Sequence, residues 1–329
     1  MDDLTRTIVI VVNFNGKKVL SRCLESLKNQ IFSNFKTIVV DNFSQDGSVD
    51  DIEELFPDVE VIRLKKNIGF SAANNYAIKK SKGFHWVALL NPDAIADPNW
   101  LLNLHLAADK NPVYDFFGSH LKKQDSLNQL DGTGDVYHLC GLAWRRDHGM
   151  SESQISRSFG EIFSPCAAAA MYRRDIFLDI GGFDERFFCY FEDVDLAFRL
   201  NLAGHRCLYV PNAKVEHFGS AIVGRRSDFA VYHGHRNMVW AYFKNMPSLL
   251  LWYGLPQHIL ANVIALIFFS LNGQAGPIFK AKRDALLGLR KTIKQRTLIQ
   301  KKKKVSLKNL KKIIATGLFL PYLKNKKII

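Results

Sequence analysis

The chain has 329 residues, 45 Lys+Arg and 31 Asp+Glu, and a formal net charge of +14. Seventeen of the basic side chains, against the single acid Asp284, lie in residues 280–329; the body before them holds 28 bases and 30 acids and is close to neutral. That split excludes a protein that is basic on every face and coats nucleic acid with all of them, and 47% apolar against 23% charged residues is a composition that folds around a core.

In chain order, Ile8–Val12 is an unbroken apolar run, as a buried parallel strand should be. It is too short, and Asp2 and Asp3 make its front too acidic, for a secretory signal. Val19, Leu20, Cys23, Leu24, Leu27 and Ile31 then recur at helical spacing. Thr37–Val40 and Val59–Leu64 predict a second and third strand, residues 71–82 a helix, and Trp86–Leu90 a fourth strand. This alternation implies an α/β fold with a parallel sheet flanked by helices, and polar loops at the carboxyl ends of the strands, where ligands bind. Residues 113–165 are irregular and glycine-containing, which predicts loops and short strands shaping a second binding surface. Patterning returns at Cys166–Tyr172. A helix is expected from Glu192 to a stop at Gly204, then a short strand over Cys207–Val210 that ends at Pro211. Residues 245–279 carry no Asp, Glu, Lys or Arg; Leu249–Leu255 and Ile259–Leu271 are strongly apolar, with Pro256-Gln257-His258 between them. The basic tail follows, with Leu286, Leu289, Ile293 and then Leu307, Leu310, Ile314 at helical spacing among lysines. The five cysteines form no CxxC pair, which fits reduced thiols and no zinc or redox centre.

Polar stations stand at the strand ends: Asn13-Phe14-Asn15-Gly16, Asp41 to Ser48, Asn67 to Asn75, and Asn91-Pro92-Asp93. An acidic cluster, Glu192-Asp193-Val194-Asp195, follows the aromatic run Phe187–Phe191. Each alone has an ordinary reading. Asn-Gly and Asp-Gly pairs make turns, acids suit a first helical turn, and a single histidine such as His217 is commonly structural. Asn74 and Asn75 are poor helix formers within a helical pattern, so something other than propensity keeps them there.

Taken together and in this order, the motifs resemble the inverting family 2 glycosyltransferases of GT-A fold, and most of all their bacterial rhamnosyltransferase branch. The segments that carry the likeness are Val11–Asn15, Val40–Ser48, Asn67–Asn75, Leu90–Asp93 and Gly181–Arg199, within residues 5–245. The resemblance implies a catalytic domain over 1–245, with a nucleotide-sugar half (1–112) and an acceptor half (113–245), and a membrane-associating extension over 246–329. It implies single, inverting transfer of a sugar, from dTDP-L-rhamnose or alternatively a UDP-hexose, to a glycan on a prenyl diphosphate in cell-surface polysaccharide assembly. It also implies Mg²⁺ or Mn²⁺ held by Asp93 and His217, a Lewis acid for the departing diphosphate. Asp193 would be the general base, with Glu192 and Asp195 orienting it or binding acceptor hydroxyls. Asn13, Asn15, Asp41, Asn67, Gly69, Asn74, Asn75 and Asn91 would contact the nucleotide sugar, and Arg236 would clamp a diphosphate.

The apolar segment is expected to break at Pro256 and to lie in or re-enter the cytoplasmic face of the inner membrane. A single span would carry the basic tail across, against the positive-inside tendency. The tail would rest on an anionic bilayer as basic amphipathic helices do; packing of the apolar segment on the catalytic domain is the other reading. A dehydrogenase would show GxGxxG where Asn13-Phe14-Asn15-Gly16-Lys17 stands, and a processive synthase a QxxRW motif. A nucleic-acid-binding protein would leave the five motifs unexplained, so no nucleic-acid partner is expected.

Overall fold

The computed structural model describes residues 7–124, 128–155, 158–219 and 227–317; Asp2, Asp3 and the last lysines, Lys324, Lys326 and Lys327, lie outside the described residues. The first half alternates β1 (Thr7–Asn13), α1 (Leu20–Lys28), β2 (Phe35–Asp41), the single-turn α2 (Ile52–Leu55), β3 (Val59–Arg63), α3 (Gly69–Lys80) and β4 (Trp86–Leu90). β1 is buried at all seven positions, and it pairs in parallel with β2 on one side and β4 on the other. Side chains alternate across it. Val9 and Val11 meet Leu20, Cys23, Leu24 and Leu27 of α1, and Ile8 and Ile10 meet Ala73, Ala77 and Ile78 of α3. The helical stripe of α1 ends at Lys28, so Ile31, expected to continue it, is exposed beyond the helix. The strand order reverses between β1 and β4, which opens a crevice at their carboxyl ends. Register sets Asn13 opposite Asp41, and Asp41 opposite Arg63, along its rim.

β5 (Ala94–Ala96) and α4 (Trp100–Lys110) lead into β6 (Phe116–Lys123), β7 (Leu130–Gly132), β8 (Asp135–Tyr137), β9 (Ala143–Arg145), β10 (Gly160–Ile162), β11 (Ala169–Arg173), α5 (Arg174–Asp179), α6 (Glu192–Ala203) and β12 (Cys207–His217). The sheet extends from β4 through β11, β6, β12 and β10; β11 is antiparallel to both neighbours and β12 parallel to β6. β1 to β4 are thus wholly parallel and the rest of the sheet is mixed. β12 does not stop at Pro211. Its register to β6 shifts between Val210 and Lys214, and that irregularity absorbs the missing N–H while the strand runs on to His217. α6 ends where expected, on Gly204 at φ 95°.

α7 (Asp228–Asn245), capped by the Ser227 hydroxyl, is followed by α8 (Ser248–Leu271), α9 (Ala275–Lys301) and α10 (Leu307–Ile313). α8 is continuous through Pro256. Leu250, Leu251, Gly254, His258 and Ala261 hold the turns on both sides of the proline against the body, and Pro256 itself faces outward. A Cβ on Gly254 would lie 2.6 Å from the Leu139 carbonyl, so glycine is what lets the helix approach so closely. This packing offsets the hydrogen bond that proline removes. Leu310 and Ile314 also turn inward, to the cluster of Tyr137, Phe163 and Phe198, so α10 closes on the body instead of offering a lipid face.

Candidate active site

The loops after β1, β2 and β3 are tied to one another mainly by neutral side chains, with the Asp46 carboxylate accepting the Lys17 N–H at 2.9 Å as a charged tie. Asn13 is fully buried, and its amide donates to Ser44 Oγ at 3.1 Å and Ser48 Oγ at 2.7 Å. Asn15, left-handed at φ 54°, accepts from the Gln45 N–H at 2.8 Å. Asp41 accepts the Ser44 N–H at 3.2 Å. Asn42 donates to Asn67 Oδ1 at 2.8 Å and accepts the Ile68 N–H at 2.9 Å, and Asn67 Oδ1 also accepts the Gly69 N–H. Asn13, Asn15 and Asn67 therefore shape the rim of the crevice by holding its backbone. Asn42, which sequence reasoning quoted but did not assign, is the link between the second and third loops.

Three residues expected at the nucleotide serve other contacts. A Cβ on Gly69 would meet the Phe188 ring at 2.6 Å and the Phe188 carbonyl at 2.7 Å, so this glycine makes room for the acceptor half of the chain. Asn75 is buried, donating to the Phe183 carbonyl and accepting the Phe183 N–H, each at 2.9 Å, and donating to Glu185. It pins the Gly181-Gly182-Phe183 turn to α3. Asn74 donates to the Phe70 carbonyl one turn back at 2.9 Å.

Asp93 follows β4, and the pairing of Ala94 with His217 brings the end of β12 beside it. His217 Nε2 faces Asp93 Oδ1 at 3.3 Å, and Nδ1 lies 2.8 Å from Asp131 Oδ2. Burial works against an imidazolium, but the carboxylates of Asp131 and Asp93 outweigh it and raise the His217 pKa. Asp131 is paired in turn with Arg145, whose guanidinium also approaches Asp135 at 3.8 Å and Cys166 Sγ at 2.7 Å. Burial pushes Asp135 up to about 7, with Arg145 opposing and Asp193 and Asp131 adding to the rise. Asp131, Asp135 and Arg145 sit on β7, β8 and β9, strands of three residues each whose pattern is too short to read. The Asp131-Gly132 pair looked like any turn, so no signal in the sequence marked it.

The donor set suits a divalent cation. A carboxylate oxygen and a buried imidazole nitrogen lie 3.3 Å apart, and a second carboxylate orients the ring from behind. Among the described residues no third His, Cys, Asp or Glu completes a ligand set. The remaining positions would suit phosphate and water oxygens, as Mg²⁺ and Mn²⁺ accept.

Asp193 opens α6. One oxygen accepts the Ala167 N–H at 3.1 Å and the other the Val194 N–H at 2.8 Å. The next carbonyl along, that of Ala168, accepts the Asn91 N–H at 2.9 Å, so Asp193 is tied into the end of β4. Burial raises its pKa above the ordinary aspartate value, with backbone N–H groups and Arg145 opposing. Glu192 is buried, and its Oε2 has no hydrogen-bond partner among the described residues; burial first, then the Asp193 charge, pushes its carboxyl well up. Asp195 is fully buried and committed to the fold: it pairs with Arg199 at 2.9 Å and Lys244 at 2.7 Å and accepts from Asn245 at 2.7 Å. It orients α6 and does not face an acceptor. Arg236, expected at a diphosphate, is also turned inward, donating to the Arg186 and Phe187 carbonyls, Tyr232 Oη and Asn237 Oδ1. Asn91 is half-buried at the crevice.

A crevice at a strand-order reversal, rimmed by a fixed polar loop set and faced by an Asp–His pair and a helix-borne aspartate, defines a GT-A glycosyltransferase. The sequence model described as Glycosyl transferase family 2 matches residues 8–181, and the chain belongs to that family. It is 28% identical over 247 residues to the N-acetylglucosaminyl-diphospho-decaprenol L-rhamnosyltransferase of Mycobacterium tuberculosis, a match covering 68% of this chain and 80% of that protein. Among solved structures, S. aureus TarS 1-349 in complex with UDP superposes with a TM-score of 0.55 at 17% identity over 90% of each chain. This chain spans 43% of a longer TarS structure. The mannosyltransferase PcManGT from Pyrobaculum calidifontis, in complex with GDP-Man and Mn²⁺, superposes with a TM-score of 0.53 at 16% identity over 91% of this chain and 86% of that one. At such identities the structural likeness speaks for the fold.

Proposed function

We propose that this enzyme transfers a single L-rhamnosyl residue from dTDP-L-rhamnose, with inversion, to a hydroxyl of a glycan carried on a prenyl diphosphate, in the assembly of a cell-surface polysaccharide. The observation that carries the reading is the convergence of Asp93, His217 and Asp193 on the end of β4. Likeness to a rhamnosyltransferase named for a decaprenol-linked acceptor supports the donor and the acceptor class. In this reading residues 1–112 hold the nucleotide sugar, with Asn13, Asn15, Asp41 and Asn67 setting the loop that receives the nucleoside and Asn91 beside the sugar. Asp93 and His217 would hold Mg²⁺ or Mn²⁺, which supplies positive charge to the departing diphosphate. Residues 113–245 hold the acceptor. Asp193 takes the proton of the attacking hydroxyl, and its raised pKa strengthens it as a base near neutrality. Glu192, beside it, raises the basicity of Asp193 by charge repulsion when ionised.

The same reading places the enzyme on the cytoplasmic face of the inner membrane. α8 is long and apolar enough to cross a membrane, with a mean hydropathy of 1.6 over its best window. Yet it is apolar on two sides. One side packs on the body, and Leu249, Trp252, Tyr253, Leu260, Ile267 and Leu271 are exposed on the other. A spanning helix would give up the first set of contacts; a helix lying in the interface keeps both. On α9, exposed Leu286, Leu287 and Ile293 stand among Arg283, Arg290, Lys291 and Lys294, a composition suited to anionic headgroups.

The test is a panel of nucleotide sugars, dTDP-L-rhamnose and UDP-hexoses included, assayed with Mn²⁺, with Mg²⁺ and with a strong chelator. Release of dTDP from dTDP-L-rhamnose alone, dependent on metal and on a prenyl-diphosphate-linked GlcNAc acceptor, is the expected result. Turnover of a UDP-hexose in its place overturns the donor, and full activity under the chelator overturns the metal. Failure to co-sediment with phosphatidylglycerol vesicles at moderate salt overturns the membrane contact.

A further inference from the structure

The segment that delivers the base is strained. Phe188, Tyr190 and Phe191 all have φ of 67°, the left-handed region that aromatic residues avoid. Phe188 has ψ −63°, and the Cys189 N–H donates to the Phe187 carbonyl at 2.8 Å, which makes it the centre of a γ-turn of the rare, strained kind. Phe191, at ψ −2°, is the residue before Glu192 and Asp193, and its carbonyl accepts the Asp195 N–H at 2.9 Å, so its backbone sets the first turn of α6. Strain of this kind persists only where the surroundings over-determine it.

What over-determines it is one amide. Asn237 is fully buried on α7, and its Nδ2 lies 2.9 Å from the Phe187 carbonyl, 2.9 Å from that of Cys189 and 2.8 Å from that of Tyr190. An amide has two hydrogens, so the three carbonyls share them, and only a turn coiled this tightly brings three to one nitrogen. The amide cannot flip, because Arg236 Nε donates to its Oδ1 at 3.0 Å. Arg236 also donates to the Arg186 and Phe187 carbonyls at 3.1 Å. From the other side, the Ser71 N–H of α3 donates to the Phe188 carbonyl at 3.2 Å, so the turn also touches the donor half. A merely connecting segment would relax by carrying glycine at these positions. Here aromatic rings are kept, and Phe188 stacks on His233 at 5.2 Å while Tyr190 lies against Phe229.

We propose that Asn237, with Arg236 as its brace, is a positioning residue for catalysis: its amide holds the 187–191 turn in its strained form and thereby aims Asp193. The proposal rests on the reading of Asp193 as the base. Asn237→Ala should lower the kcat of transfer about a hundredfold, with the donor that passes the nucleotide-sugar panel. It should change the affinity for the nucleoside diphosphate less than threefold and move the acid limb of the kcat profile. The decisive arm is relief of strain: Phe191→Gly in the Asn237→Ala background should restore at least tenfold of kcat, because glycine takes the left-handed conformation unaided. A purely structural asparagine would move the melting temperature and leave kcat per folded molecule, its pH profile and the rescue unaffected, and that pattern overturns the proposal. Should Asn237→Ala not fold, the pair Asn237→Ala/Phe191→Gly carries the same readouts; a pair that also fails to fold overturns it too, since Asn237 would then serve folding alone. Asp193→Asn runs alongside. Its full activity sinks the base reading itself, whereas an inactive Asp193→Asn beside an unaffected Asn237→Ala sinks only the positioning role.

Discussion

The two halves of the catalytic unit keep their polar residues in order by opposite means. The donor half joins its loops mainly with neutral groups, Asn13 to Ser44 and Ser48, Asn15 to Gln45 and Asn42 to Asn67, while Asp41 and Asp46 accept backbone N–H groups beside them. The acceptor half uses buried charge, in one chain that starts from Asp93 at the edge of the donor half and runs through His217 and Asp131 to Arg145, and another from Asp184 through Lys244 to Asp195 and Arg199. The difference follows from what each half must do. In the proposed function the loop set receives a nucleoside diphosphate, and ties made mainly of neutral groups add little charge that would repel it or need neutralising. A half that must hold a carboxylate as a base, in partial burial, needs a field of fixed charge to set its proton affinity. Substitutions in the two halves should therefore fail differently, by amount and by pH dependence.

The largest effect is expected at Asp193. Asp193→Asn should lower kcat about a hundred- to ten-thousand-fold, as removal of a general base does, while nucleotide affinity, set in the other half, stays within a few-fold. The wild-type profile has a definite sign. In the proposed role Asp193 works only when deprotonated, and its pKa is raised by burial, so kcat should fall with decreasing pH at a midpoint above that of an ordinary aspartate. An acid limb at the ordinary value would mean that the site is wet and the field absent.

Next comes Lys244, which is 1% exposed and lies 2.8 Å from Asp184 and 2.7 Å from Asp195. Lys244→Met removes the cation shared by two buried carboxylates, leaving Asp184 with Arg186 alone and Asp195 with Arg199 alone, and should cost about 3 kcal/mol of stability. Burial opposes the Asp184 charge, but Lys244 and Arg186 prevail and hold its carboxyl well below the usual range. A depressed acid contributes stability above its unfolded pKa and loses it as pH falls through the folded one. The gap between wild type and variant should thus be full at pH 7 and narrow below about pH 4. Melts of both proteins across that range read it directly. By contrast, Asn13→Ala in the donor half should cost about 1–3 kcal/mol by leaving Ser44 and Ser48 short of a partner, and the loss should be flat with pH. A pH-dependent loss there would break the contrast between the halves.

How much of this could be read in the sequence follows the same division. The donor half was legible because each strand is an unbroken β-branched run and each polar station begins where the run stops, as at Val12-Asn13, Val40-Asp41 and Leu90-Asn91. Asp93, His217 and Asp193 were singled out through motif order; Asp93 and His217 lie 3.3 Å apart, and Asp193 accepts the Ala167 N–H. Asp131, Arg145 and Asp184 were not found, because their importance lies in partners distant along the chain, and strands of three residues have no readable period. Gly69, Asn75 and Arg236 were noticed for the right reason, an unusual residue in its place, yet their contacts are to the chain itself. Pro256 misled because local propensity signals a break, whereas packing on both sides of the residue decides the helix.

The smallest effect expected sharpens the contrast most. Glu192 is 6% exposed, and its Oε2 has no hydrogen-bond partner among the described residues, so ionising it in the fold is costly and its pKa is well raised. A carboxyl whose folded pKa exceeds its unfolded value favours the fold while protonated, and that contribution is lost as pH rises from the unfolded pKa through the folded one. Glu192→Gln keeps the shape and cannot ionise. Its melting temperature should therefore match that of wild type near pH 4 and exceed it at pH 8, by on the order of 1 kcal/mol or a few degrees. The effect on activity should be small beside that of Asp193→Asn, since the burial that disfavours the Glu192 charge leaves little of it to lose. A stability gap that does not change with pH would mean that Glu192 has the same pKa in the folded and the unfolded chain, and burial would then not set it.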